Sequence, residues 1–232
     1  MPIPITPTPK FSVKLPSTGQ QIEYRPFVVK EEKVLLFAAE TKDQAQIMSA
    51  VKDTIAACTF QKLDVENLPM FDIEYLFLQI RSKSIGETTT PNIKCSKCEV
   101  ANAVSVDLSK VQVSDMPESM NIMVTDEIGV IMRFPSYALI GSIDGLDKQD
   151  SVFELAAACI DKIYDTTTVY DSKDFERKDM VEFIENMTQS AFIKMTSWFD
   201  KMPRVKHDIS FECKSCKHKN EMTLAGLADF FT

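Results

Sequence analysis

The sequence predicts an α+β protein with an N-terminal β-hairpin, a helical body, and a four-cysteine zinc ribbon formed by two distant Cys-x-x-Cys knuckles. Three observations lead to this class. Short N-terminal segments alternate apolar and polar residues, as half-buried strands do. Longer segments place their apolar residues on one helical face. Two Cys-x-x-Cys pairs stand far apart in the chain, which is typical of a metal site that joins distant segments.

The composition is that of a globular protein with an acidic surface. Of its 232 residues, 44% are hydrophobic and 26% are charged, so the chain can bury a substantial core. The formal net charge of −8 disfavours binding to phosphate backbones and to anionic membranes. No apolar run reaches the roughly 18 residues that cross a bilayer, and the first residues lack the apolar stretch of a signal peptide. We therefore expect a cytoplasmic protein.

We divide the chain into five segments that we expect to pack as one compact unit. They are an extended arm (1–10), a β-hairpin with helices (11–90), the first zinc knuckle with strands (91–134), a helical region (135–203), and the second zinc knuckle with a C-terminal helix (204–232). The arm is too rich in proline to fold alone, and we expect it to become ordered on a partner.

The first folded segment begins with two strands, at residues 11–15 and 22–29, joined by a turn that contains proline and glycine. Thr41 and Gln44 then match the pattern of a capping box, and apolar residues continue along one face as far as Cys58. Residues 71–80 are apolar nearly all round, which predicts a helix in the centre of a core.

The remaining segments predict further strands and helices. Residues 100–108 and 122–134 are rich in alternating or β-branched apolar residues, as strands are. Ser151 and Glu154 predict the start of a helix whose buried stripe continues to Ile163. Two more helical runs follow, at 180–187 and 192–202, and then a strand at 209–211 and a short apolar helix at 224–231.

The paired cysteines are the strongest functional signal. Each Cys-x-x-Cys lies between two β-like segments, the arrangement of a zinc knuckle, and two knuckles supply the four sulfurs of a closed tetrahedral shell. A closed shell has no position for water, so the site is predicted to be structural. The predicted ligands are Cys95, Cys98, Cys213 and Cys216. Cys58 and Cys159 lie in apolar helical patterns and are interpreted as small buried residues.

The long separation between the two pairs leaves other arrangements open. Each pair could be a half-site that a second copy completes, or the four thiols could stay reduced without a metal. His207 and His218 flank the second pair and could replace a cysteine, but four sulfurs already complete the shell. We therefore expect both histidines to face solvent.

Lysines cluster around both knuckles and allow two interpretations. They could form a nucleic-acid patch, or they could offset the net charge of −2 on a zinc ion with four thiolates. No aromatic residues alternate with them for base stacking, which favours the second interpretation. The lysines are Lys94, Lys97, Lys214, Lys217 and Lys219.

The sequence lacks the common motifs of catalysis. G-x-S-x-G, the Walker A motif and G-x-G-x-x-G are all missing. We expect no catalytic residues, no cofactor other than zinc, and no enzymatic activity.

Three segments carry a family resemblance: LPSTGQQIEYRPFVVKEEKVLL at 15–36, FDIEYLFLQIRSKSIGE at 71–87 and LAGLADFF at 224–231. They resemble the baseplate hub assembly proteins of T-even-type contractile-tailed phages. This resemblance implies a non-enzymatic assembly factor or minor hub subunit whose partners are other baseplate hub or tail proteins. It also implies a location in the host cytoplasm during assembly, or in the virion tail baseplate for a retained subunit. The alternative function is a zinc-ribbon regulatory protein that binds nucleic acid.

Overall fold

The computed structural model describes residues 6–143 and 148–231 of the chain. Residues 1–5 of the predicted arm lie outside the described part. Residues 6–10 are described and belong to no helix or strand.

The fold mixes short antiparallel strands with helices. The strands are β1 Phe11–Lys14, β2 Gln21–Tyr24, β3 Thr88–Thr89, β4 Asn92–Lys94, β5 Ala101–Ala103, β6 Val106–Asp107, β7 Gln112–Val113, β8 Asn121–Met123, β9 Gly129–Met132, β10 Ile160–Tyr164, β11 Val169–Asp171, β12 Val205–Glu212 and β13 Lys219–Ala225. The α-helices are α1 Val29–Thr41, α2 Gln44–Cys58, α3 Met70–Ser84, α4 Tyr137–Ile143, α5 Lys148–Ala158, α6 Arg177–Glu185, α7 Gln189–Thr196 and α8 Leu227–Phe231. Short 3-10 turns lie at Val65–Asn67, Leu108–Lys110, Ser172–Asp174 and Phe199–Lys201.

The chain packs as two compact units. The first contains the described residues up to Val65, Phe71–Ser114, and those from Arg204 onwards. The second contains Glu66–Met70 and Asp115–Pro203. This division differs from the single compact unit that the sequence suggested, and the reason is that the inserted residues 115–203 bury a core of their own.

The first unit is built from hairpins and from helix α3. Strands β1 and β2 form the N-terminal hairpin, β4 pairs with β5, β3 pairs with β6, and a three-stranded sheet has the order β13-β12-β7. Leu78 on α3 packs with Val205 and Ile209 of β12 and with Phe230 of α8. Each fully buried side chain of this kind contributes about 1.5–3 kcal/mol, so this core fixes β12, and with it the second knuckle.

The second unit centres on a four-stranded antiparallel sheet of order β11-β10-β9-β8. Val130 of β9 and Ile160 of β10 are fully buried in its core, together with Met195 of α7. Trp198 is also buried, and its ring stacks on Phe134 with centroids 5.5 Å apart. The unit therefore has its own hydrophobic centre.

The ends of the inserted segment meet within the first unit. Strand β7 pairs with β12, with Val113 opposite Val205. The Ser114 N–H donates to the Arg204 carbonyl at 2.9 Å, and the Arg204 N–H donates to the Ser114 hydroxyl at 2.9 Å. Residues 115–203 therefore leave and return at one point of the sheet.

Several predicted elements are confirmed. The N-terminal hairpin, the central helix α3 and the strand before the second cysteine pair form where the sequence placed them. Leu76 and Ile80 of α3 are fully buried, as a helix that is apolar all round requires.

The predicted strand at 22–29 is too long. Strand β2 ends at Tyr24, and Pro26, which has no N–H to donate to a neighbouring strand, follows at once. Helix α1, which the sequence analysis missed, starts at Val29. The Glu31 carboxylate accepts the Val28 N–H at 2.9 Å and so satisfies one of the free amides at the start of this helix.

The predicted capping box at Thr41 and Gln44 is wrong. Thr41 ends α1, and α2 is capped by Asp43 instead. The Asp43 carboxylate accepts the N–H of Ala45 at 2.9 Å and the N–H of Gln46 at 3.4 Å. A carboxylate also interacts better than a hydroxyl with the positive end of the helix dipole.

The predictions around Ser151 also fail. Helix α5 begins at Lys148, so Ser151 lies inside it and does not cap it with Glu154. The helix ends at Ala158, and the apolar residues Ile160 and Ile163 belong to strand β10. Pairing of β10 with β9 and β11 overrides the helical pattern.

Segments predicted as single elements are divided in the structure. Residues 100–108 hold β5 and β6, and residues 122–134 hold most of the hairpin β8–β9. The helix predicted at 224–231 is shorter in the structure. Leu224 belongs to strand β13, and only Leu227–Phe231 form the helix.

Candidate metal centre

Both cysteine pairs lie in the turns of antiparallel hairpins. Residues 95–100 connect β4 to β5, where Lys94 pairs with Ala101. Residues 213–218 connect β12 to β13, where Glu212 pairs with Lys219. Paired strands close each turn, so the two cysteines of a pair are held in a fixed relation to each other.

The two turns have the same backbone conformation. The Glu99 N–H donates to the Cys95 carbonyl at 2.9 Å, and the Lys217 N–H donates to the Cys213 carbonyl at 3.0 Å. Glu99 and Lys217, which each follow the second cysteine of a pair, have φ of 59° and 57°. A repeated left-handed residue at this position turns the chain so that both thiols of a pair point the same way.

The four thiols come together in one chain. The Sγ atoms of Cys95 and Cys216 lie 3.7 Å apart, those of Cys98 and Cys213 lie 3.6 Å apart, and all four lie within 4.8 Å of one another. Tetrahedral zinc with bonds of about 2.3 Å separates its sulfurs by about 3.8 Å. The four cysteines form no disulfide. The cluster could therefore hold a metal ion, and its geometry fits a tetrahedral one.

Two asparagines cross-link the turns. The Asn102 amide donates to the Cys213 sulfur at 3.7 Å, and the Asn102 Oδ1 accepts the N–H of Lys214 at 3.0 Å. The Asn220 amide donates to the Cys95 sulfur at 3.6 Å, and its Oδ1 accepts the N–H of the residue after Cys95 at 2.9 Å. Each asparagine belongs to one hairpin and holds the first cysteine of the other, so the site has approximate twofold symmetry.

Hydrogen bonds within and between the turns stabilise the thiolate forms of Cys95 and Cys213. The backbone N–H of Cys216 is the main cause that lowers the pKa of Cys213 to about 6. Burial opposes ionisation of Cys95, but hydrogen bonds from its own turn and from Asn220 outweigh burial and lower the pKa of Cys95. The backbone N–H of Val100 favours the charged form of Cys98, but the neighbouring sulfurs and burial outweigh it and raise the pKa of Cys98 to about 12. The first cysteine of each pair therefore favours the thiolate, which is the form that binds metals.

The histidines are not part of the cluster. Among the described residues that could bind metal, the group around the sulfurs consists of the four cysteines alone. The carbonyl of His218 supports the second turn by accepting the Cys213 N–H at 2.9 Å. The side chains of His207 and His218 are partly exposed.

The lysines around the knuckles face solvent. Lys217 lies 3.8 Å from Glu212, and both side chains are exposed, so this ion pair contributes little to stability. All five predicted lysines are exposed: Lys94, Lys97, Lys214, Lys217 and Lys219. They add positive charge at the edge of the sulfur cluster.

The remaining cysteines are buried away from this site, as predicted. Cys58 in α2 and Cys159 after α5 are both 0% exposed. Burial raises the pKa of Cys58 to about 11 and the pKa of Cys159 to about 12. Both thiols are therefore neutral at ordinary pH and act as small apolar side chains.

The second unit has a groove of about 380 Å³ lined by aromatic residues and two carboxylates. Asp165 accepts the N–H of Thr167 at 2.7 Å and the N–H of Thr168 at 2.8 Å. Asp179 accepts the Glu176 N–H at 3.0 Å. Both carboxylates are thus committed to fixing the local backbone.

The comparisons with known proteins identify the family. A family model described as T4 bacteriophage base plate protein matches residues 7–232. The chain belongs to the T4 baseplate protein family. No curated protein and no solved structure matches it.

Membership in the baseplate family confirms the sequence resemblance at the level of the phage baseplate. A baseplate protein works in contact with other baseplate proteins, which agrees with the predicted class of partner. Within the described residues, no helix combines the length and the apolar character needed to cross a membrane.

The asparagines are the residues that the sequence analysis missed. Asn102 stands four residues after Cys98, and Asn220 stands four residues after Cys216. The repeated spacing Cys-x-x-Cys-x-x-x-Asn is the signal that could have revealed them.

Proposed function

We propose that this protein is a non-enzymatic component in the assembly of the phage baseplate hub, shaped by a structural Zn²⁺ ion that Cys95, Cys98, Cys213 and Cys216 hold. Membership in the baseplate family supports the setting. The meeting of four thiols from distant hairpins carries the metal part of the proposal. Four thiolates close the shell of zinc, so the ion would stabilise the fold rather than activate water.

The metal would fix the two knuckle turns of the first unit to each other. Each turn is short and solvent-facing at its tip, where Ser96 and Lys214 are exposed. A shared ion would lock the two turns into one rigid surface. Rigid, pre-formed surfaces bind protein partners with a smaller loss of conformational entropy.

Metal analysis of the purified protein tests the zinc proposal. We expect about one zinc ion per chain, and loss of that zinc together with marked destabilisation in Cys95→Ser and Cys213→Ser. Cys58→Ala removes a buried thiol outside the cluster and is the control that should keep its zinc. A fully folded wild-type protein without metal would refute the proposal.

Mass spectrometry of purified virions tests the hub role. A retained hub subunit is expected at a fixed ratio to other baseplate proteins, whereas an assembly factor is found in infected cells in complex with hub proteins and is missing from virions. Failure to find the protein with any hub protein in either sample would contradict the hub assignment.

The exposed lysines at the knuckles favour nucleic-acid binding as a second candidate. Contacts with phosphates would make retention on DNA fall steeply as salt rises. The net charge of −8 opposes such binding. Retention on a DNA column at low salt, lost at high salt and in Lys214→Ala, would support this function over the first.

A further inference from the structure

Helix α1 exposes a large apolar face. Val29 is 64% exposed, Leu36 is 60% exposed and Phe37 is 71% exposed. Their spacing of seven and eight residues places them on one side of the helix. The opposite side carries Glu31 and Ala38, which are buried. Large apolar side chains that are exposed on one side of a helix mark interaction surfaces in soluble proteins.

Two opposite charges lie on the same face. Lys33 is four residues after Val29, and Glu40 is three residues after Phe37, so both share the stripe. Both side chains are exposed, and neither forms an ion pair within the described part of the chain. We refer to Val29, Lys33, Leu36, Phe37 and Glu40 as the α1 face.

We propose that the α1 face binds the α1 face of a second copy of this chain, with the two helices antiparallel. The midpoint between Lys33 and Glu40 coincides with the midpoint between Leu36 and Phe37. A twofold axis through that point sets Lys33 of each copy opposite Glu40 of the other. It also sets Leu36 of each copy opposite Phe37 of the other. These four apolar side chains fill the centre of the interface, between the two ion pairs.

The charge pattern favours a second copy over an unlike partner. A twofold interface uses the same surface on both subunits, so every residue must meet its complement under the symmetry. Four members of the α1 face satisfy this condition, since Lys33 pairs with Glu40 and Leu36 with Phe37 about the same midpoint. Val29 lies beyond these pairs, at the edge of the interface. A partner of one charge sign would leave either Lys33 or Glu40 unmatched.

One helix on each side makes a small interface. Stable dimers bury about 1,200–2,000 Å² in total, and a pair of helices of this length falls below that range. We therefore expect weak association, with a dissociation constant on the order of 10 µM. This surface is independent of the cysteine cluster, so the dimer does not require that the zinc proposal be correct.

Sedimentation equilibrium from about 1 to about 200 µM protein tests the proposal. We expect the wild type to shift from monomer to dimer across this range. Lys33→Glu and Glu40→Lys each place like charges opposite one another twice and should weaken the dimer at least tenfold. The double variant Lys33→Glu/Glu40→Lys restores both pairs with their signs exchanged and should recover most of the affinity.

Two further variants complete the design. Phe37→Ser removes the apolar centre and should abolish the dimer in this range. Lys206→Glu makes the same charge change as Lys33→Glu at an exposed position of β12 and should leave the dimer intact. Circular dichroism spectra equal to that of the wild type verify that each variant is folded.

Three results would overturn the proposal. One is a wild type that stays monomeric over the whole concentration range. This result is also expected if a different baseplate protein covers α1 in place of a second copy. The second is a dimer insensitive to Lys33→Glu and Phe37→Ser. The third is a double charge variant that dimerises no better than the single ones.

Discussion

Asn102 and Asn220 each bind a thiol and a backbone N–H of the opposite knuckle. Both are only 2% exposed, so water cannot replace a hydrogen bond that they lose. An unpaired buried polar group costs about 1–3 kcal/mol. Because each amide donates to sulfur and each carbonyl oxygen accepts a backbone N–H, the two side chains orient the thiols of Cys213 and Cys95.

Removing either asparagine tests this role. We expect Asn102→Ala and Asn220→Ala to lower the free energy of unfolding by about 1–3 kcal/mol. We also expect them to weaken zinc binding by about 10–100-fold, as the loss of residues that orient metal ligands does. Competition with a coloured zinc chelator measures the affinity.

Asn92→Ala is the matched control, since Asn92 is exposed on β4 of the same hairpin. It should leave both quantities unchanged. Zinc affinity that stays at the wild-type value in both Asn102→Ala and Asn220→Ala would refute the orienting role.

The cysteine cluster was predictable from sequence, but the side chains that support it were not. The spacing of Cys95 and Cys98 indicates a metal site, because a Cys-x-x-Cys turn between β-like segments is typical of a zinc knuckle. A buried asparagine resembles any polar loop residue until the fold brings it to a sulfur. Asn102 could be recognised only by comparing the two knuckles and noting that Asn220 occupies the same place.

At the scale of elements, the turn between β10 and β11 depends on one carboxylate. Asp165 accepts the backbone N–H groups of Thr167 and Thr168, and its second oxygen accepts the Tyr170 hydroxyl at 3.1 Å. The hydrogen bonds of Thr167 are the largest cause that lowers the pKa of Asp165 from 3.8 to about 2. The charged form of Asp165 therefore stabilises the turn.

This turn should be sensitive to acid. The folded pKa of Asp165 lies below the unfolded value, so its stabilising effect is complete above about pH 4 and is lost as the pH falls towards about 2. Asp165→Asn should melt at a lower temperature than the wild type at pH 7, and this difference should shrink as the pH is lowered through that window. Thermal unfolding followed by Trp198 fluorescence measures both proteins, and a difference that is the same at every pH would contradict the prediction.

The elements that the sequence predicted well are those with one dominant signal. Helix α3 is apolar on all sides, and β1 and β2 alternate cleanly around a Pro-Gly turn. Helix α1 was missed because its apolar residues point to solvent as well as inward, which blurs the one-sided pattern of a helix. Strand β10 was predicted as helix because its spacing suits either structure, and only pairing with β9 decides between them.

At the scale of the whole molecule, the cysteine cluster is formed by two pairs that a long insertion separates in the chain. Cys98 and Cys213 are 115 residues apart, and the second unit lies between them in the chain. The pairing of β7 with β12 already brings the ends of the insertion together, so the knuckles need to span only a short distance. The cost of closing a long loop grows slowly with its length, by about 0.6 kcal/mol for each doubling, so the insertion adds little to the cost of forming the site.

This arrangement predicts that metal removal acts on the first unit alone. All four cysteines and both asparagines lie there, whereas the only tryptophan of the chain, Trp198, is buried in the core of the second unit. A bound ion stabilises a fold in proportion to the logarithm of its concentration over the dissociation constant. We expect a strong chelator to lower the melting temperature of the first unit by roughly 10 °C or more.

The two units can be followed separately in one sample. Far-ultraviolet circular dichroism detects both, and it should gain an early transition when the chelator is added. Trp198 fluorescence reports the second unit, and the melting temperature that it detects should stay within a few degrees of the value without chelator. The rings around Trp198 are those of Phe134 and Phe199, which are far in sequence from the four clustered cysteines. Two probes that no longer coincide are the mark of units that unfold independently. If both probes shifted together on chelation, the cores would unfold as one, and the stabilising effect of the ion would extend beyond the unit that holds its ligands.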